Sequence, residues 1–365
     1  VTTPKASSRP AAPAGTSPRR SSPQAVLRIG GRVSLRIRVR AVAVVAVLAL
    51  VALATAVVLI GTGDFPMSFT DVLTVLFGSG HPADELIVRE LRLPRVLVGL
   101  LVGAALGLAG ALFQAVSRNP LGSPDILGLG QGATAGALTM IVLFSGSAAA
   151  VTAGALVGGL VTGTAIYLLA WKRGVHGYRL VLVGIGVSAV MTAVNSYLIT
   201  KADMVDAARA VVWMTGSLSG RDWAQVWPLL ALCLVLVPLV LANERGLRMT
   251  EMGDDAAYAL GVRVERVRLV LLGCAVLLAS AATAAAGPVA FVALTAPQLA
   301  RRLTRTPGPN LVPSMTMGAA LLIVADLLSQ RAFGSDQLPV GVVTGALGGL
   351  YLLWLLVSER KAGRV

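Results

Sequence analysis

Lysine is almost missing from this chain. Lys5, Lys172, Lys201 and Lys361 are all it has. None lies in a Gly-x4-Gly-Lys-Ser/Thr run, so the loop that holds nucleotide phosphates on backbone amides and a lysine is excluded. Cysteine stops at Cys233 and Cys274, both within apolar stretches, which predicts two buried thiols and no disulfide framework. The only histidines, His81 and His176, stand far apart, so no metal centre and no cofactor is expected. Charge of either sign is scarce, at 13% of the 365 residues, and that scarcity excludes an ordinary soluble globule.

What fills the space is apolar. With 56% apolar residues and a mean hydropathy of +0.79, the chain carries more apolar surface than one soluble core hides. Runs of about twenty apolar residues recur, each long enough to cross ~30 Å of hydrocarbon as a helix. The 40 glycines suit the close helix contacts of membrane bundles. The expected fold is an all-α polytopic membrane protein with spans at 41–61, 94–116, 126–144, 148–170, 179–200, 224–243, 268–286, 288–300, 311–331 and 338–357. The eighth is short for a full crossing.

Residues 1–40 are rich in Pro, Ser, Ala and Arg without a hydrophobic period, and read as a disordered basic tail on the cytoplasmic side. Residues 41–365 read as one membrane domain. Arg19-Arg20 mimics a twin-arginine signal, but the apolar run from Ala41 lasts about twenty residues and fits an uncleaved span. A formal charge of +14 invites a nucleic-acid partner, and its distribution argues against one. With the N-terminus inside, Arg89, Arg92, Arg95, Lys201, Arg209, Arg221 and Arg331 fall outside, and every other Lys and Arg falls inside. This positive-inside pattern recurs loop after loop, so the charge encodes orientation in a lipid bilayer.

Between the spans, Ser68–Phe77 reads as a short amphipathic helix on the membrane surface. Trp213 and Trp223 read as interfacial anchors. Gly99, Gly103 and Gly107 recur every four residues and give one helix a close-packing face, and the run Gly128–Gly136 reads the same way. Asp326 is the clear acid within a span, and structural hydrogen bonding is a better reading of it than a proton relay. The loop 243–268 is densely charged around an apolar centre, as a docking element on one side of the membrane requires.

Three stretches form an ordered set: LRLPRVLVGLLVGAALGLAGALFQAVSRNPLGSPDILG (91–128), GDDAAYALGVRVERVRLVLL (253–272) continuing to AAGPVAFVALTAPQLARRL (285–303), and VADLLSQRAFGSDQLPVGVVTGALGGLYLLWLL (324–356). In order and spacing, from about residue 41 to 357, they resemble the FecCD permeases of ATP-binding-cassette importers for iron–siderophores, haem and vitamin B12, most of all those serving catecholate siderophores such as ferric enterobactin.

The resemblance implies the type II importer permease fold in a bacterial cytoplasmic membrane. It implies a homo- or heterodimer of permeases around a central path, two cytoplasmic ATP-binding subunits and an extracytoplasmic binding protein. The chain itself would be no enzyme. Gly253, Asp254, Asp255, Ala256, Tyr258, Leu260 and Gly261 match the coupling helix that sits in a groove of the ATPase. In residue terms, Asp254 and Asp255 suit a helix start and Gly261 a helix stop.

Arg92 and Arg95 match the outer arginines that pair with carboxylates of the binding protein. Arg331 stands beside Gln330, where the family often has arginine. Asn119, Pro120 and Leu121 match the inner gate, and His176, Gly177 and Tyr178 a second gate element. Read without the resemblance, the arginines fit topology and the gate residues fit plain helix-ending turns. Ala296-Pro297-Gln298 departs from a frequent Ala-Pro-His, which would fit one half of a heterodimer. The competing functions are haem or cobalamin import by the same machine, an ion-coupled secondary carrier, and a membrane scaffold.

Overall fold

The computed structural model describes residues 24–29, 33–63, 65, 67–76, 82–171, 177–332 and 337–361. Its helices are α1 (Val39–Gly61), α2 (Phe69–Leu76), α3 (Pro82–Glu85), a π-helical turn Leu86–Arg92 running straight into α4 (Leu93–Ser117), α5 (Leu129–Phe144), α6 (Ala148–Ala170), α7 (Gly177–Lys201), α8 (Met204–Met214), α9 (Trp223–Ala242), α10 (Glu244–Thr250), α11 (Asp254–Ala259), α12 (Val264–Ala286), α13 (Val292–Thr304), α14 (Leu311–Arg331) and α15 (Val340–Lys361). The ten longest in the membrane domain, α1, α4 to α7, α9 and α12 to α15, fall on the ten expected spans. Among the described residues, seven segments are long and apolar enough to cross a membrane by themselves, while α5 and the apolar stretch Val340–Leu355 of α15 are shorter. At 13 residues with Pro297 inside it, α13 is the shortest. The membrane domain is all-helical and polytopic.

Of the basic tail, residues 1–23 and 30–32 lie outside the described residues. Part of the basic tail is paired as an antiparallel hairpin, β1 (Gln24–Ile29) with β2 (Val33–Arg38), in the register Leu27↔Leu35 and Ile29↔Val33. The cause is visible in the letters: Val33, Leu35 and Ile37 alternate with Ser34, Arg36 and Arg38, a period of two that a search for helical runs passes over. Just beyond it, Arg40 Nε donates to the Leu303 carbonyl at 2.7 Å, tying the entry of α1 to the end of α13.

At the centre of the bundle lies α4, buried along most of its length. The glycine face predicted for it packs on α14. A Cβ placed on Gly103 would overlap the Gly318 carbonyl, and one on Gly107 the Ser314 carbonyl. Bare backbone against bare backbone lets the two helices approach within van der Waals range, the main source of cohesion where lipid competes for apolar contact. The glycines of 128–136 serve α5 and α6 alike, since Gly136 abuts the Gly154 carbonyl and Gly132 abuts Thr162. Cys233 and Cys274 are free and buried.

Between α4 and α5 the chain does not simply cross back. Residues 118–128 lie along α7, with Ser117 against Gly177, Leu127 against Gly184 and Gly128 against Ser188. From Gly177 to Ser188 a helix rises about 16 Å, so the segment re-enters the bundle before α5 begins. This is why α5 starts at Leu129 rather than at 126, and has 16 residues.

Candidate functional site

At the inner end of α4, Arg118 closes the helix in a left-handed conformation (φ 51°), and the turn Asn119-Pro120-Leu121 follows. The Asn119 side chain holds its own turn, its Oδ1 accepting the Leu121 backbone N–H at 2.9 Å. From α13, Gln298 Nε2 donates to the Pro120 carbonyl at 2.8 Å. So the glutamine that departs from the Ala-Pro-His pattern supplies a donor to this turn. Gly177 sits against the backbone of Ser117, so the structure brings both predicted gate elements to one place. Leu121 and Tyr178 are exposed beside them. His176 lies outside the described residues.

A cavity of about 250 Å³ lies behind this turn, lined by Gln114, Arg118, Pro120, Glu251 and Arg301 among others. Gln114 accepts from Arg301 and donates to the Leu294 carbonyl at 3.0 Å, which fixes α13 to α4. Burial raises the Glu251 carboxyl above the ordinary range, against the pull of Arg248, Arg301 and Arg118.

The predicted coupling helix is α11, a six-residue helix. Gly253 opens it at φ 112° and Gly261 follows it at φ 81°. Neither has a neighbour that a Cβ would meet, so backbone conformation, not crowding, accounts for glycine there. The end is a Schellman motif: Val262 N–H bonds the Ala257 carbonyl at 3.0 Å and Gly261 N–H the Tyr258 carbonyl at 2.9 Å. Ala257 is buried, whereas Met252, Ala256, Tyr258 and Leu260 are exposed together. An apolar knob on a charged inner face is the form of a docking element.

Asp254 departs from the expected capping role, for no side-chain cap bond is made at this helix start. Its Oδ1 instead takes Arg118 at 2.6 Å and Arg268 at 2.8 Å. Asp255 is exposed in the first turn, where its charge favours the helix. Sequence reasoning missed Arg118, Arg268 and Gln114. The two arginines had been assigned only to membrane orientation.

On the outer side, the three arginines separate. Arg95 is not an open guanidinium: it forms a two-point pair with Asp326, Nε to Oδ2 at 3.2 Å and Nη2 to Oδ1 at 2.8 Å, with the Asp326 side chain fully buried. Gln330 completes the set, its Nε2 donating to Asp326 Oδ2 at 2.9 Å. Arg92 is half-buried and donates to the carbonyls of Ile60 and Phe65 at 2.7 Å each, holding the end of α1. Arg331 is exposed at the end of α14. Trp223, expected as an anchor, donates its indole N–H to the Arg89 carbonyl at 3.1 Å and stacks on Trp227.

A polytopic helical bundle with an irregular turn after α4, a short exposed helix α11 and an acid–arginine pair spent on structure is the architecture of a membrane transport subunit. The chain belongs to the FecCD transport family, whose pattern matches residues 46–358. It is 45% identical over 300 residues to the ferric enterobactin transport system permease protein FepG of Escherichia coli (strain K12), covering 82% of this chain and 91% of that one. It is 40% identical over 295 residues to the iron(3+)-hydroxamate import system permease protein FhuG of Bacillus subtilis (strain 168), covering 78% and 88%. With the vitamin B12 import system permease protein BtuC of Escherichia coli O9:H4 (strain HS), identity is 34% over 77% of this chain and 86% of the other. Among solved structures, a metal-chelate type ABC transporter in an inward-facing conformation superposes with a TM-score of 0.75 at 25% identity, covering 87% of this chain and 99% of that chain.

Proposed function

We propose that this chain is the permease subunit of an ATP-driven importer that moves a ferric siderophore into the cytoplasm across a bacterial cytoplasmic membrane. The observation that carries the reading is the 45% identity to a ferric enterobactin permease over 82% of the chain. The chain performs no covalent chemistry. It supplies a path and an element with two arrangements, and ATP hydrolysis on partner subunits biases the equilibrium between them.

In this reading a second permease completes the path and two ATP-binding subunits receive α11. Gly253 and Gly261 set the ends of α11, Asp254 and Asp255 its charged start, and Ala256, Tyr258 and Leu260 the apolar face that enters the ATPase groove. Asn119, Pro120 and Leu121, with Gly177 and Tyr178, form the inner gate. An extracytoplasmic binding protein docks on the outer rim, where Arg331 offers an exposed guanidinium. Arg92 and Arg95 contribute to that rim chiefly by shaping it, because both already hold internal acceptors. Cobalamin is the second reading, supported by the 34% identity to a B12 permease. An ion-coupled carrier has less support, since Asp326 is fully paired.

The test is uptake of radiolabelled iron as several ferric siderophores, of haem and of labelled cobalamin, in cells with and without the gene. Loss of one ferric-siderophore signal alone is expected. Loss of cobalamin uptake alone would move the assignment to the second reading. Unchanged uptake of every ligand, in a strain without redundant importers, would overturn the transport reading.

A further inference from the structure

The inner gate turn and α11 are far apart in sequence, yet one carboxylate oxygen joins them. Asp254 Oδ1 holds Arg118 at 2.6 Å and Arg268 at 2.8 Å. Arg118 directly precedes Asn119-Pro120-Leu121 and also donates to the Thr250 carbonyl at the end of α10. Arg268 is a buried residue of α12, and Glu265 lies 3.6 Å from its other nitrogen. With Glu265 included, two arginines face two acids, so the cluster is neutral. Its members therefore differ in what they are attached to. Arg268 belongs to a long span in the body of the bundle. Arg118 belongs to a turn that is held by side-chain bonds from Asn119 and Gln298. Asp254 belongs to the first turn of the helix whose outer face is open for docking.

We propose that Asp254 is the positioning residue through which displacement of α11 reaches the inner gate, with Arg118 as the receiving group and Arg268 as the fixed post. The inference rests on the assignment of α11 as the ATPase-docking helix. A shared oxygen keeps one guanidinium when it loses the other, so a shift of α11 that frees Arg118 does not leave the Asp254 carboxylate bare. While the Arg118 contact holds, the gate turn moves with α11. When only the Arg268 contact holds, the turn is released. Charge-assisted bonds of this length are roughly twice as strong as neutral ones, which suits transmission over a single residue.

The experiment uses the assembled complex of permease, ATPase subunits and binding protein in vesicles. It reads iron taken up per ATP hydrolysed, together with co-purification of the ATPase subunits. Arg118→Gln is expected to leave the ATPase subunits co-purifying and to lower uptake per ATP about tenfold, a coupling loss near 1.4 kcal/mol. Asp254→Asn is expected to lower the same ratio, and the Arg118→Gln/Asp254→Asn pair no further than either alone. A merely structural contact would lower uptake and hydrolysis together and leave the ratio unmoved. An unchanged ratio in both single variants, or losses that multiply in the double variant, would overturn the inference. Wild-type vesicles that take up nothing on ATP would instead overturn the functional assignment beneath it.

Discussion

The Arg95–Asp326 pair allows a test that separates structure from transport chemistry. Asp326 is fully buried and its carboxylate is taken up by Arg95 and Gln330. Truncation by Asp326→Ala leaves a guanidinium with 18% of its side-chain surface exposed and no counter-charge. Breaking a buried pair from one side costs about 3–5 kcal/mol. The partial exposure of Arg95, at the outer end of its helix, puts the expected loss at the lower end of that range. Asp326→Asn removes the charge but keeps an acceptor for Gln330, so its cost is expected to be smaller.

Replacing both partners, as Arg95→Met/Asp326→Leu, removes the uncompensated charge, and apolar substitution of an ion pair is often close to neutral. Thermal and denaturant unfolding of the detergent-solubilised protein would therefore rank Asp326→Ala well below the double variant. Uptake should follow stability, with the double variant transporting. A double variant as stable as wild type yet inactive, with binding-protein affinity intact, would refute the structural role and revive a proton relay. Lost binding-protein affinity alone would instead give Arg95 a direct part in docking.

Three further outcomes follow from the packing. Gly318→Leu, which drives a side chain into the Gly103 carbonyl, should cost at least about 1–3 kcal/mol by overpacking and abolish accumulation of folded protein, whereas Gly345→Leu, with open space at its Cβ, should accumulate normally. Gly261→Ala should destabilise the end of α11 by about 1–2 kcal/mol, the cost of a left-handed residue with a Cβ, and be read as weaker co-purification of the ATPase subunits at unchanged permease yield. Gln298→His keeps a donor toward the Pro120 carbonyl and should retain uptake, while Gln298→Leu leaves that carbonyl without its donor and should lower uptake several-fold. Equal activity of the two would remove Gln298 from the gate.

Hydropathy made the ten membrane helices legible because lipid imposes one rule on every span. The glycine face of α4 was legible for a related reason: a four-residue period of bare backbone has few uses other than close contact. The partners of polar side chains were not legible. Arg118 looks like any inner-face arginine until the fold sets it beside Asp254, which is 136 residues on in the chain. Arg95 looked like an open outer cation because nothing local shows that Asp326, from another helix, fills it. The breaks at 118–128 and 287–291 were hidden as well. Ile126 and Leu127, and Val289, Ala290 and Phe291, score as membrane-buried whether helical or not, so the expected spans begin at 126 and 288, before the helices do.

Those breaks are where the fold is most constrained. Irregular backbone at membrane depth is tolerated only inside protein or along an aqueous route, because lipid offers its amides nothing. Here backbone partners within the protein supply the bonds, local for the first segment and partly long-range around the second. Leu127 N–H bonds the Ser123 carbonyl at 3.2 Å, and Gly128 N–H the Asp125 carbonyl at 3.1 Å. On the other side, Gly287 N–H bonds the Thr283 carbonyl, Ser217 N–H the Ala286 carbonyl and Gly341 N–H the Gly216 carbonyl, between 2.8 and 3.1 Å. The Phe291 side chain, at the end of the second segment, fills the gap at Gly348 of α15. From Phe291, α13 carries Gln298 about 10 Å and Arg301 about 15 Å along its axis at 1.5 Å per residue, where they bond the Pro120 carbonyl and Gln114. One short helix thus ties the turn at 119–121 and Gln114 of α4 to the irregular backbone that precedes it. A shift of α13 along its axis therefore disturbs both sets of contacts together.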